Sequence, residues 1–386
     1  MKFDILENFQ KSGNSDKNIC FLHSAQKGTS ILAKNPIDEF QGNDLKKFLN
    51  FTEKNKKNIL IGYISYDVAY QLYNIRPKAK NDLKLPIINF FAFNKWQETK
   101  SVKNNKNPPK EKLNEKINFE IKISKEEYEK AFQKVKNYIK EGDIYQLNLT
   151  HRLEAKTKLE GKNIFSSIIE KNPVDYLAYI KTNKAEILSA SPEKFIKIIG
   201  NKIETCPIKG TRPRGKNKVE DQKLAGELIS SKKEAAELNM ITDLLRNDLG
   251  KICKTGTVKV KGHRILQKYP TVWHTYSKII GELKIDPIKA LISMLPGGSI
   301  TGCPKKRAIE IIDEIEPTMR GIYTGVIGYI MPNRKELNFS IAIRTIIKKG
   351  ENLYLQVGGG IVNDSKEKDE FTETINKALS FQNLFK

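Results

Sequence analysis

The chain has 386 residues, 39% of them hydrophobic and 29% charged, and a formal net charge of +23 at pH 7. It is too long for one small module and suits one large domain or two ordinary ones. The basic residues are spread along the whole chain among Asn and Ile, so no nucleic-acid partner is expected, while anionic small substrates and acidic partner proteins stay open.

In chain order, NILIGYISYDVAYQLY (58–73) and LPIINFFAFNKW (85–96) read as strands or strand–turn–helix pieces, rich in β-branched and aromatic residues. ETKSVKNNKNPPKEKLNEK has almost no apolar residues and holds Pro108-Pro109. It predicts a polar linker or long loop over 98–118, between an N-terminal region (1–97) and a catalytic region (119–386). Ser124 and Glu127 then form a capping-box pattern, Tyr128, Phe132, Val135 and Ile139 recur at helical spacing, and Gly142 supplies a stop. IYQLNLTHRLEA alternates as a strand does, and a helix is expected over 164–171. YLAYIKT, EILSAS and KFIKIIG read as strands, and 231–252 and 305–316 as helices. IYTGVIGYIM, LNFSIAIRTIIKKG and NLYLQVGGGIV read as three further strands, and 365–384 as a closing helix. Strands in hairpin-like runs, without regular βαβ alternation, predict an α+β fold with largely antiparallel sheets.

Several segments carry residues suited to chemistry. In the helix KEAAELNMITDLLRNDLGKIC, Glu234 and Glu237 share a stripe with Ile241 and Leu244. A carboxylate there is either partly exposed or buried against a cation or metal. Glu370, Glu373 and Lys377 share a face of the last helix, just after VGGGIVNDS. The three glycines are either a flexible turn or a place where backbone approaches an anionic ligand. Cys20, Cys206, Cys253 and Cys303 form no C-x-x-C and the four histidines are scattered, so a disulfide framework or zinc site is not expected, and the compartment is a reducing one. Oxygen-only ligands would suit Mg²⁺. The glycine-rich LPGGSITGCPKK lacks the Walker spacing and reads as a loop crossing or an anion-binding helix start. Arg344 is a cation in an apolar strand pattern, either an inward carboxylate clamp or an outward edge residue. Glu193 in SASPEKF is either a solvated turn residue or a general acid near Lys209 of TCPIKGTRPRG. MKFDILENFQ shows no signal-peptide pattern and no apolar run is as long as a membrane span, so a cytoplasmic protein without membrane contact is expected.

Nine segments in order over about 125–386 resemble the chorismate-utilising enzymes: GDIYQLNLT, SASPEKF, PIKGTRPRG, ELNMITDLLRNDLGKIC, HTYSKIIGEL, LPGGSITGCPKKRAIEIIDEIEP, GIYTGVIGYI, FSIAIRTI and GGGIVNDSKEKDEFTET. IGYISYDVAY is similar to the family's N-terminal half. The resemblance implies two large packed antiparallel β-sheets with helices on the outside, and a Mg²⁺-dependent reaction on chorismate. By matching position, Glu237 and Glu373 would be metal ligands, with Glu370 and Glu234 close by. Gly210, Thr211, Tyr323, Arg344, Gly358, Gly359 and Gly360 match chorismate-contacting positions, and His274 a histidine near the reacting ring.

The resemblance also bears on the reaction. Members that add water carry lysine where this chain has Gln146, and members that add ammonia carry glutamine. Of the ammonia-using branches, the anthranilate-forming one typically reads PIAGT and the 4-amino-4-deoxychorismate-forming one PIKGT, as here at Lys209. The implied course is attack by Lys209 on the ring, with Glu193 protonating the departing hydroxyl, or a non-covalent role in which Lys209 steers the product. Arg212 and Arg214, close in sequence, are expected to favour the neutral amine of Lys209. Tryptophan-binding members carry N-P-x-P where this chain has NPVDY, with Asp175 in place of the second proline, which argues against a tryptophan site. No segment resembles a glutaminase, so ammonia is expected from a separate glutamine amidotransferase subunit.

Overall fold

The structure, a computed structural model, describes residues 5–13, 16, 18–99, 115–269 and 272–385. Most of the predicted 98–118 linker therefore lies outside the described residues. The described residues form two ten-stranded antiparallel sheets. Strands from both sides of the 98–118 segment enter both sheets. Cys20–Ser24 and Thr29–Ala33 join one, and Ile59–Ile64, Ile88–Phe93 and Asp38–Gly42 the other.

The sheets pack face to face, and the strands inside them are buried on both sides. All six residues of Ile59–Ile64 are buried. Because side chains alternate across a strand, Ile59, Ile61 and Tyr63 meet Ile31, Ile180 and Ile187 of the other sheet. Leu60 and Ile64 point the other way, into a core shared with Phe48 and Phe51 of helix Leu45–Lys54. Leu177, Tyr179 and Leu188 likewise turn outward to Phe9, Phe165 and Phe381 of three helices. The result is the expected α+β arrangement, two packed sheets with helices outside.

Local signals hold where they are short-range. Helix Lys125–Lys140 starts on Ser124, whose side chain accepts from the Glu127 N–H while the Glu127 carboxylate takes the Ser124 N–H. The helices expected over 231–252 and 365–384 run Lys232–Ile252 and Glu367–Gln382.

One strand expectation changes and one alternative is settled. LNFSIAIRTIIKKG is not one strand. Glu336–Ile341 lies in one sheet and Thr345–Lys349 in the other, and Arg344 stands at the crossing with φ 52°. The strand expected over NLYLQVGGGIV runs Asn352–Ile361 and includes the three glycines, which excludes the flexible-turn alternative, with Gly358, Gly359 and Gly360 opposite Thr150, Leu149 and Asn148. Strands Ile208–Pro213, Lys259–Lys268 and Val272–Glu282 are additional to those read from the sequence.

Candidate active site

The site lies where the ends of the two sheets face each other. Strand Ile208–Pro213 pairs with Val272–Glu282 at the end of one sheet, with a register shift between Lys209 and Thr211. Gly210 takes φ +83° at that shift, and a Cβ there would lie 2.7 Å from Leu228 and 2.9 Å from the Glu234 carboxylate. The bulge turns Lys209 toward the other sheet. A Cβ on Gly360 would lie 2.8 Å from Gln146 Nε2 and 3.5 Å from Lys209 Nζ, so the absence of side chain at Gly360 leaves the space between them open. Gln146 begins strand Gln146–Lys156, is 2% exposed, and its Oε1 is buried without a hydrogen-bond partner.

Two helices close this space with acidic side chains. From Lys232–Ile252, Glu237 places Oε2 3.6 Å from Lys209 Nζ. From Glu367–Gln382, Glu373 is paired with Lys377 at 2.6 Å, and its carboxyl is held below its ordinary value against a burial penalty by Lys377, Lys209 and Lys233. Glu370 is buried, accepts from Ser365 Oγ at 2.7 Å, and is pushed up by burial and by the charges of Glu373 and Glu237. Glu234 stands apart, with Arg212 Nη1 3.2 Å from its Oε1.

Three carboxylates on facing helices, two of which raise the proton affinity of Glu370, offer oxygen donors alone and fit a hard divalent cation such as Mg²⁺. Among the described residues no three acidic, histidine or cysteine side chains converge on one point as they stand. Each glutamate faces a lysine instead: Lys209, Lys377 or Lys233. Glu237 and Glu373 would hold the ion by turning from those lysines.

The arginines close to Lys209 in sequence are engaged by other side chains. Arg212 is engaged by Glu234, and Arg214 by Asp221 at 2.5 Å, with its guanidinium over the Trp273 ring. A like charge comes instead from Lys377 on the helix Glu367–Gln382. Burial lowers the Lys377 ammonium, and Lys209 and Arg344 add to that effect against the pull of Glu373. Lys377 Nζ also donates to the Gly358 carbonyl at 2.9 Å, which makes Lys377 a site residue that sequence reading noted only as a helix neighbour of Glu373. Arg344 donates from Nη1 to the Lys377 carbonyl at 3.3 Å, and burial holds its guanidinium below the ordinary value. Tyr323 is buried and its hydroxyl is pushed up by burial, within the field of Arg344. Lys209, Lys377 and Arg344 thus form a cationic group suited to a small dianion.

His274 and Thr211 face each other across the paired strands, with Nδ1 2.9 Å from Thr211 Oγ1 and 3.2 Å from the Gly210 carbonyl. Burial lowers His274 to about 4, so the imidazole is neutral near pH 7. Glu193 is 5% exposed, accepts from Ser299 Oγ at 2.9 Å and from the Ile208 N–H, and feels the charge of Lys209. Burial pushes it from its ordinary 4.5 up to about 7. The solvated-turn alternative for Glu193 is thereby removed.

That carboxyl has a consequence for stability. It takes up a proton on folding between pH 4.5 and about 7, so stability falls as pH rises through that window and stays lower above it. Glu193→Gln is therefore expected to exceed the wild type in urea denaturation by on the order of 1–3 kcal/mol at pH 8 and to match it at about pH 4. Equal stabilities at pH 8 would show that burial does not penalise this carboxylate.

A separate cavity of about 300 Å³ lies between the sheets, lined by Leu22, Ser24, Asp175, Tyr176, Gly328 and Tyr329 among others. Ser24 Oγ donates to the Asp175 carboxylate there at 2.9 Å. No helix among the described residues is long and apolar enough to cross a membrane.

The family model for chorismate binding enzymes matches residues 12–383. Aminodeoxychorismate synthase component 1 of Bacillus subtilis (strain 168) is 34% identical, over 99% of this chain and 94% of its own length. Anthranilate synthase component 1 of Acetivibrio thermocellus is 44% identical, over 67% of this chain and 52% of its own length. The crystal structure of anthranilate synthase component I from Streptococcus pneumoniae TIGR4 superposes with a TM-score of 0.83 at 26% identity, covering 98% of this chain and 97% of that one.

Proposed function

The chain belongs to the chorismate binding enzyme family, and from that premise we propose that it aminates chorismate with ammonia to 4-amino-4-deoxychorismate, the precursor of 4-aminobenzoate and folate. The observation that carries this reading is the placement of Lys209 between a buried acid, Glu193, and a buried amide, Gln146, across an opening left by Gly360. The full-length likeness to an aminodeoxychorismate synthase component 1 supports the same branch.

Chorismate carries two carboxylates, which Arg344, Lys377 and the neighbouring backbone would hold. A Mg²⁺ ion held by Glu237 and Glu373 would supply positive charge to the ring carboxylate and draw electron density toward it. Lys209 Nζ forms a bond to the ring carbon that bears no leaving group. The ring double bonds shift, and the allylic C–O bond breaks. Glu193, which burial keeps partly protonated near pH 7, gives its proton to that oxygen, which leaves as water. Ammonia then bonds to the carbon that lost the hydroxyl, the double bonds shift back, the bond to Lys209 breaks, and the extra proton brought by the ammonia returns to Glu193. Gln146 borders the open space with Nε2, and its unpartnered Oε1 would accept an N–H of the incoming ammonia once the amide turns over. The net change is chorismate plus ammonia to aminodeoxychorismate plus water. In the cell a glutamine amidotransferase subunit would supply the ammonia, and ammonium salts would replace it in vitro.

Incubation with chorismate, Mg²⁺ and ammonium, followed by mass analysis, tests the proposal. The expected product carries an amino group and keeps its enolpyruvyl ether. Fluorescent anthranilate as the main product would overturn it.

A further inference from the structure

Ser299 stands 106 positions from Glu193 in the sequence, yet its hydroxyl donates to Glu193 Oε1 at 2.9 Å, and both residues are buried. It belongs to a single-turn 3₁₀ helix, Gly298–Ile300, that is held from three sides. Arg320 Nη1 donates to the Ile300 carbonyl at 2.8 Å, and Thr301 Oγ1 donates to the Gly297 carbonyl at 2.8 Å. A Cβ on Gly298 would come within 2.4 Å of Leu244, so the turn lies directly against the helix that carries Glu237. On the other side, the Glu193 backbone is fixed by Ile341, whose N–H donates to its carbonyl at 3.1 Å. The hydroxyl is therefore delivered to the carboxyl by a turn with little freedom to move.

We propose that Ser299 is a positioning residue for the acid step, holding Glu193 by Oε1 so that the acid's proton is carried on Oε2. This rests on the reading of Glu193 as the general acid. A hydroxyl donor has two effects here. It confines the carboxyl to one rotamer, and it stabilises the ionised form. The second effect opposes the burial of Glu193, together with the charge of Lys209 and the Ile208 N–H, the other groups acting on that carboxyl. Without Ser299 the carboxyl would be held by the Ile208 N–H alone and would keep its proton to higher pH, where it gives the proton up less readily. A serine that served only to pack the turn would change neither property.

The test compares wild type, Ser299→Ala and Ser299→Thr in two measurements. The first is ammonium-driven turnover of chorismate across pH at fixed free ammonia. The second is a carboxyl titration by ¹³C NMR with labelled glutamate, in which Glu193 is assigned by its loss in Glu193→Gln. Ser299→Ala is expected to lower kcat about 10–100-fold while KM for chorismate changes less than about twofold. It is also expected to raise the Glu193 titration by about one to two pH units. Ser299→Thr, which keeps the hydroxyl, is expected to restore both. An unchanged Glu193 titration in Ser299→Ala, or a folded threonine variant no better than alanine in both measurements, would overturn the proposal. The titration needs no turnover, so the two readings fail separately. Glu193→Gln that still aminates chorismate would overturn the acid role, whereas an unmoved carboxyl would overturn the role of Ser299.

Discussion

Lys209→Ala is expected to lower the rate of 4-amino-4-deoxychorismate formation by about 10³-fold, within the range lost when one proton-transfer or covalent group is removed. The fold should be unaffected. The side chain projects from a bulged strand at the sheet end into open space beside Gly360, and its close charged contact is the 3.6 Å approach to Glu237. The same change removes a cation from the group that includes Lys377 and Arg344, so weaker chorismate binding should accompany the slower chemistry. Two measurements separate the chemical roles. In the wild type, rapid quenching with chorismate and Mg²⁺ but no ammonia should yield protein heavier by the dehydrated substrate, with the mass on the peptide holding Lys209. The alanine variant should show no such species. A variant that produced anthranilate at near wild-type speed would instead make Lys209 a selector of product.

Glu316→Gln is expected to destabilise the fold by about 3–5 kcal/mol, the usual cost of leaving a buried charge without its partner. Arg320 is 2% exposed and donates from Nε and Nη2 to the Glu316 carboxylate at 2.9 and 2.7 Å. It also donates to the carbonyls of Ile300 and Asn148, while Glu316 Oε1 accepts from the Thr150 N–H and hydroxyl. One ion pair therefore joins the turn that carries Ser299, the strand that begins with Gln146, and the segment leading to Tyr323. Removing the negative charge leaves the guanidinium among neutral acceptors only. Urea denaturation reads the loss. The double variant Glu316→Gln, Arg320→Met should recover a large part of it, because no unpaired charge then stays buried. A single-variant cost under about 1 kcal/mol would show that water reaches the pair.

The site was legible in unequal measure. Glu237, Glu373 and Glu370 could be placed on helix faces from spacing alone, because a helix sets its own geometry over four residues. The three glycines were legible as part of the strand NLYLQVGGGIV, with a flexible turn or a backbone approach to an anionic ligand both open. The strand continues through them, and it is the space above Gly360 that matters. Arg212 and Arg214 show the limit of sequence proximity. They are nearest to Lys209 along the chain, yet Glu234 and Asp221 engage them, while Lys377, 168 positions away from Lys209, adds to the charge around it. The strands Ile208–Pro213 and Lys259–Lys268 gave little apolar alternation because both are largely exposed or half-buried at a sheet end.

The family, the α+β class, the capped helix after Ser124 and the residue types at the site are all legible in the amino-acid order, since these depend on local periodicity and on motifs read in order. Folding alone brings Arg344 to the place where the chain passes from one sheet to the other, Ser299 to Glu193, and Gln146 across from Lys209. The physical reason is strand pairing. Which residues meet across two ten-stranded sheets depends on the order and register of strands far apart in the chain. Those are set by the burial of whole faces rather than by any stretch of a few residues.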